Sequence, residues 1–214
     1  MATRGSRRAA HALLSALMIA ILGAFWPEIE PLLAIAPKGV TCRAVGVGLV
    51  EAALGTARFI ERERPEFVIF VGTAGAFTRA GVAIGEVYAV NRVVLAEPPA
   101  AQFPEPMPRE LSLRVQLSGL PLASVATTLG ITSSDGAAEE LALRLGCDLE
   151  HLELFAVASA CATANVPCAC VLGVTNLVGS DGRAQWASNH RHVSARVADA
   201  VRLALPSIRD YVVK

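Results

Sequence analysis

Aromatic residues are scarce in this chain: they make up 5% of its 214 residues, against 53% hydrophobic overall. A core with so few rings has to be built from Ala, Val, Leu and Ile, which suits a sheet covered on both faces. Excess charge is lacking too. The 19 Lys and Arg balance the 19 Asp and Glu, and no basic stripe or acidic tail is present, so no nucleic-acid partner is expected. The five cysteines (Cys42, Cys147, Cys161, Cys168 and Cys170) are odd in number and lack the spacing of a disulfide framework. They read as reduced small hydrophobes of a cytosolic protein. Cys168-x-Cys170 puts both thiols on one strand face with no His nearby in sequence, and His151, His190 and His192 are not spaced as a zinc set, so no metal is expected. His190 and His192 are expected to be exposed. No Gly-Lys-Ser/Thr loop and no Gly-x-Ser-x-Gly elbow occurs. Gly46-x-Gly48-x-x-Glu51 starts like a dinucleotide fingerprint but carries Glu51 where the third glycine belongs, so a nicotinamide site is rejected and no cofactor is expected.

The amino terminus allows two readings. Arg4, Arg7 and Arg8 precede an uncharged run from Ala12 to Trp26, as in a signal peptide. That run is shorter than the roughly 18 residues of a membrane span, so no membrane partner is expected. The rival reading makes residues 1–17 an extension outside the fold, disordered or not native to it, and begins the domain, 18–214, with a strand at Met18.

From there strands and helices alternate. Met18–Ala24 reads as a buried strand, Ile29–Ile35 as a short helix after Pro27, and Lys38–Val45 as a second strand closed by Gly46-Val47-Gly48. Leu49–Arg64 has helical periodicity. Phe67–Val71 is a β-rich run leading into a glycine-bearing loop, Gly72–Gly75, where backbone amides can approach a ligand. Strands are expected at Ile84–Val94 and Leu122–Ile131. The Pro-rich segment Glu97–Pro108 is either a lid or a plain connection. A short helix is expected at Ala137–Leu145, and a final one over Trp186–Leu205, ending near Pro206. This alternation predicts an α/β fold: a single-domain three-layer αβα sandwich around a mixed, mainly parallel central sheet.

Residues 148–181 concentrate the chemistry. Glu153 falls near the start of a small-residue apolar helix beginning at Asp148 or Leu149, and Thr175-Asn176 caps the following strand, Cys168–Val174, at its carboxyl end. Open α/β sheets place ligand-binding groups there. A carboxylate among apolar residues needs a partner. That partner can be a ligand or the start of its own helix, and the stretch alone fits both.

MIAILGAFWPE (18–28), with its Gly-Ala turn followed by Glu28, resembles the first strand of the purine nucleoside phosphorylase and nucleosidase superfamily. GVGLVEAALGTA (46–57) is similar to its second motif, VGTAGAF (71–77) to its Gly-Ser-Ala-Gly loop, and Ile84-Gly85-Glu86-Val87 to its Gly-Asp-Val turn. HLELFAVASAC (151–161) resembles its Met-Glu-Gly-Ala helix and GVTNLVG (173–179) its strand-end signature. The motifs run in family order from Met18 onward. They favour the extension over the signal peptide, since cleavage would remove the first strand.

The resemblance implies a nucleoside phosphorylase-like fold, a cytoplasmic location and a homodimer, and it implies roles. Glu28 would hold and activate the attacking water. Thr73, Ala74 and Gly75 would lie against the ribose and the nucleophile. Glu153 would accept from a ribose hydroxyl beside Leu152, and Asn176 would face the purine. Adenine-selective relatives carry Asp at the Asn176 position. An Asn cannot be a general acid, but its amide can both donate and accept, which suits a 6-oxopurine. Leu152, Leu154 and Ala137 depart from the family pattern, Ala137 falling where a base-stacking aromatic often sits. Family phosphorylases bind phosphate with an Arg just before the glycine loop. Here that stretch is Ile69-Phe70-Val71, which favours hydrolysis, with Arg43 as a possible substitute. Asn176 with Arg183 and Trp186 is similar to the futalosine hydrolases of menaquinone biosynthesis, which release hypoxanthine. Methylthioadenosine/adenosylhomocysteine nucleosidase, a purine nucleoside phosphorylase, and a non-catalytic nucleoside-binding protein are the alternatives.

Overall fold

The computed structural model describes residues 18–36, 39–98, 109–113, 115, 117 and 119–213. The expected extension at 1–17 lies outside these, as does most of the lid candidate. The elements run β1 (Ile19–Gly23), α1 (Trp26–Leu33), β2 (Val40–Ala44), α2 (Leu49–Glu63), β3 (Phe67–Ala76), β4 (Val87–Leu95), β5 (Glu110–Ser112), β6 (Leu122–Thr127), α3 (Asp135–Leu145), β7 (Leu149–His151), α4 (Leu154–Thr163), β8 (Cys168–Leu177) and α5 (Gly182–Val213). A single 3-10 turn, Thr78–Ala80, follows β3.

The apolar runs in β1, β3 and β8 explain themselves by burial on both faces. Alternate residues of β3 enter different cores. Val68 and Phe70 pack with Phe59 and Ile60 of α2 and Val157 and Cys161 of α4. Phe67, Ile69 and Val71 pack with Ile29 and Leu32 of α1 and Val197 and Val201 of α5. Around these strands, helices therefore cover both faces of the sheet. The cysteines are all free, with Cys147, Cys161 and Cys170 buried and Cys42 and Cys168 half-buried.

The sheet is mixed, but the expected three-layer sandwich needs correction. β3 pairs with β8, β8 with β4, β4 with β6, β6 with β7, and β7 back with β3, so these strands close into a barrel-like ring. β1 and β2 extend from β3, and β5 from β4. The pairings of β3 with β7 and of β4 with β5 and β8 are antiparallel; the others are parallel.

Closure depends on two stretches whose sequences point elsewhere. Gly72–Gly75 is not a loop but the second half of β3, pairing with β8 and, at Gly75, with Glu150 of β7. Leu149–His151 is not the first turn of a helix but β7. Asp148 fixes it by accepting the Ser124 amide and hydroxyl, both at 2.7 Å. Tertiary pairing overrides the helical look of this short segment. α4 then begins only at Leu154, with Glu153 at its N-cap position. The final helix also exceeds expectation at both ends, starting at Gly182 and continuing through Pro206.

Candidate active site

α1 presents Glu28. Pro27, whose fixed φ suits a first helical turn, follows Phe25 and Trp26, and Glu28 comes next with only 4% exposure. Its Oε2 accepts the Ala24 amide at 3.1 Å. Its Oε1 accepts both the Thr73 amide at 2.8 Å and the Thr73 hydroxyl at 3.0 Å. Burial pushes its pKa up to about 7, the Thr73 hydrogen bonds oppose that, and the charge of Glu153 adds to it. A carboxyl so placed is half-ionised near neutrality.

Glu153 sits where β7 hands over to α4. A helix-start acid serving only its helix would accept from that helix's first amides. Glu153 makes no such cap. Its Oε1 instead accepts the Gly48 amide at 2.7 Å. Gly48 holds φ +85°, which favours glycine and turns its N–H toward the carboxylate. The half-fingerprint Gly46-x-Gly48 is thus a turn that clamps Glu153.

His151 is buried between the two acids. Its Nδ1 lies 3.2 Å from Glu153 Oε2 and 3.1 Å from the Glu153 amide. Burial lowers its pKa against the pull of Glu153. Nδ1 thus meets both the backbone N–H and a carboxylate oxygen of the same residue, which ties the ring to Glu153. Phe70 meets the ring edge-on, with centroids 5.4 Å apart. Space for the imidazole exists because residue 72 is glycine. A Cβ there would stand 2.8 Å from His151 Nε2 and 3.3 Å from Glu28 Oε1. Gly72→Ala is expected to displace both groups, lowering kcat/KM about 100-fold while lowering stability by only about 1–3 kcal/mol. Steady-state kinetics and urea unfolding of the purified variant check the two numbers separately.

Asn176 owes its position to a bulge. The register of β3 on β8 runs Ala74 to Val174 and then Gly75 to Asn176, leaving Thr175 extra. Asn176 Nδ2 donates to the Leu177 carbonyl at 3.0 Å. Its Oδ1 lies 2.8 Å from the Thr175 hydroxyl, which also lies 3.2 Å from the Ala74 carbonyl. Asn189 of α5 donates to the Thr175 carbonyl, and Gln185 accepts the Leu177 amide. Beyond Gly75 on the same row, Glu150 accepts the Thr132 hydroxyl and amide, and burial raises its pKa.

These groups line one cavity of about 480 Å³. Glu28, Thr73, Ala74, Gly75, Leu152, Glu153 and Asn176 all face it, joined by Phe25, Val47, Ile131, Glu150, His151, Arg183 and Trp186. A larger groove of about 690 Å³ between α2 and α4 is lined by apolar and small side chains with Glu61 as its one charge, and carries no reactive set.

The sequence profile of the phosphorylase superfamily matches residues 34–209. This chain belongs to that superfamily. Its fold is similar to futalosine hydrolase of Helicobacter pylori strain 26695, with TM-score 0.81 and 16% identity over 90% of this chain and 98% of that one. It is also similar to 5'-methylthioadenosine/S-adenosylhomocysteine nucleosidase of Helicobacter pylori in complex with butyl-thio-DADMe-Immucillin-A, with TM-score 0.78 and 17% identity over 90% and 99% of the two chains. Likeness at these identities shows a shared fold. In sequence, the chain is 36% identical over 69 residues to the nucleosidase of that name from Listeria monocytogenes, a match spanning 32% of this chain and 29% of its relative.

His151, outside any zinc-type spacing, lines the cavity instead, and the signal for it in the sequence is Glu153 two residues on. Trp186 and Phe25 supply the aromatic lining, whereas Ala137 lies at the exposed start of α3 and lines a different pocket. His192 is exposed, but His190 is half-buried, stacked on Trp186 at 4.4 Å. Arg43 is exposed on β2 and does not line the cavity. Among the described residues, no helix is long and apolar enough to cross a membrane.

Proposed function

We propose that this chain is an N-ribosyl hydrolase that cleaves the N-glycosidic bond of a 6-oxopurine nucleoside, with futalosine, giving hypoxanthine, as the favoured substrate. The observation that carries the reading is the meeting of two buried acids, Glu28 and Glu153, with the Asn176 amide in one cavity. Glycosidic cleavage builds positive charge on the sugar, which nearby carboxylates stabilise, and negative charge on the departing base, which a hydrogen-bond donor relieves. Glu28, held by Thr73 and Ala24, is the base that takes a proton from water. Thr73, Ala74 and Gly75 flank the sugar. Glu153, fixed by Gly48, accepts from a ribose hydroxyl with Leu152 beside it. Asn176 faces the purine edge.

Hydrolysis is favoured over phosphorolysis because, among the described residues, Arg183 is the one Lys or Arg that lines the cavity, and phosphate recognition calls for several cationic donors. The Listeria relatives favour a second reading, methylthioadenosine/adenosylhomocysteine nucleosidase. Purified protein is incubated with futalosine, inosine and methylthioadenosine, each with and without phosphate. Hypoxanthine from futalosine without phosphate is the expected result. Adenine from methylthioadenosine alone selects the second reading, and strict phosphate dependence removes hydrolysis. A cytoplasmic homodimer in menaquinone biosynthesis accompanies the favoured reading.

Asn176→Asp tests base recognition. A carboxyl at this position, unlike the amide, can hold a proton and pass it to a purine nitrogen as a general acid. The ratio of kcat/KM for 6-amino over 6-oxo nucleosides is expected to rise about 100-fold. An unaltered ratio removes Asn176 from base recognition.

A further inference from the structure

Trp186 has no assigned role, yet it ties the cavity together. Its indole Nε1 lies 3.2 Å from Thr73 Oγ1, and Thr73 Oγ1 lies 3.0 Å from Glu28 Oε1. The direction of these bonds is not free. An indole N–H can only donate, and a threonine hydroxyl has one proton and two lone pairs. The Thr73 oxygen must therefore accept from Trp186, which leaves its proton for Glu28.

We propose that Trp186 is a positioning residue that polarises the Thr73 hydroxyl toward Glu28, so that the base of the reaction is held in its ionised, water-activating form. The inference rests on the hydrolase reading for its catalytic meaning, but the hydrogen-bond chain stands without it. The ring is locked for this task. His190 stacks on one face, with rings 12° from parallel, and its Nδ1 lies 3.2 Å from the Trp186 carbonyl. Phe25, the residue that opens α1 three positions before Glu28, packs against the indole at 6.1 Å. Trp186 thus couples α5, β3 and α1 at one point.

The consequence for Glu28 has a definite sign. Its Oε1 receives two donors from Thr73, of which the amide is fixed and the hydroxyl can rotate. Without the indole N–H, the hydroxyl is free to donate elsewhere, and the ionised carboxylate loses part of its stabilisation. The other titratable groups around Glu28 are Glu153, His151 across Gly72, Cys170 of β8, and Glu150 and Arg183 on the walls of the same cavity, while His190 stacks on Trp186 itself. None of them is altered by removing one indole proton.

The test replaces Trp186 by Phe and, to preserve ring size and packing, by the benzothiophene analogue of tryptophan, which has sulfur in place of N–H. The ionisation of Glu28 is followed without substrate by infrared titration, its band assigned by difference from Glu28→Gln. The midpoint is expected to rise by about one pH unit, the size of one lost hydrogen bond to a charged group. For a base that titrates near 7 this lowers kcat at pH 7 about five-fold with KM nearly unchanged. Thr73→Val should erase the effect, so that adding the Trp186 change to it moves nothing further. An unshifted midpoint in the benzothiophene variant, or additive effects with Thr73→Val, overturns the proposal and leaves the hydrolase reading intact. A shifted midpoint in a protein that cleaves no nucleoside overturns that reading and leaves the positioning chain intact.

Discussion

Glu28→Gln is expected to lower kcat about 1,000-fold, the range of a lost general base, and to make the protein more resistant to urea, relative to wild type, as pH rises. The two effects have one origin. In the unfolded chain a glutamate titrates near 4.5, and in the fold burial pushes Glu28 up to about 7. The folded state thus binds the proton more tightly. Its stability contribution is fully present below pH 4.5 and lost as pH rises through 7. Over that window the wild type should lose on the order of 3 kcal/mol relative to the variant. The glutamine does not begin level, because one of its ends is an NH2 facing the Ala24 amide where Oε2 accepts in the wild type, which costs about 1–3 kcal/mol. Near pH 5 the wild type should therefore be the more stable, and near pH 8 the gap should close or reverse. Urea unfolding at both pH values checks this. The pH dependence of wild-type kcat/KM should rise through a midpoint near 7, activity appearing where stability is given up. A variant with wild-type turnover removes Glu28 from the reaction.

Much of the fold, and of the set of residues that line the cavity, was legible in the sequence, for identifiable reasons. β1, β3 and β8 carry uninterrupted apolar runs because they are buried on both faces, and a fully buried strand has few other sequences available to it. The candidate site residues follow the strand ends: Glu28 just beyond β1, Thr73–Gly75 in β3, Asn176 near the end of β8. What the sequence concealed depended on partners far along the chain. Leu149–His151 looks helical because its neighbours are small and apolar, yet β3 and β6 offer it backbone pairing on both sides. Gly72–Gly75 looks like a loop because glycine is poor in strands. It is a strand here because β8 and β7 pair with it, and the missing side chain at Gly72 leaves room for His151 and Glu28. The closure of the sheet is a property of pairing, and no local pattern encodes it. Trp186 could be matched to a family pattern but not assigned a task, since its hydrogen bond crosses 113 residues.

Glu153→Gln is the other large effect expected, and it separates charge from shape. Gln is close to isosteric with Glu at this position and can keep both contacts. Its carbonyl oxygen can accept the Gly48 amide, and its NH2 can face His151, so folding should be little disturbed. What goes is the negative charge beside the ribose, where the sugar becomes cationic in the transition state. kcat should fall about 100-fold or more, with a smaller change in KM, because the neutral substrate feels the lost charge less than the transition state does. The second consequence is a displacement of the pH profile. The Glu153 charge helps raise the pKa of Glu28, so its removal should move the midpoint of the residual activity below the wild-type value. Removing the Trp186 donor should move the same midpoint upward. Opposite displacements from two changes that both slow the reaction identify Glu28 as the group that titrates. If the midpoint stays fixed in both variants, another group controls the profile, and the assignment of Glu28 as the base is wrong.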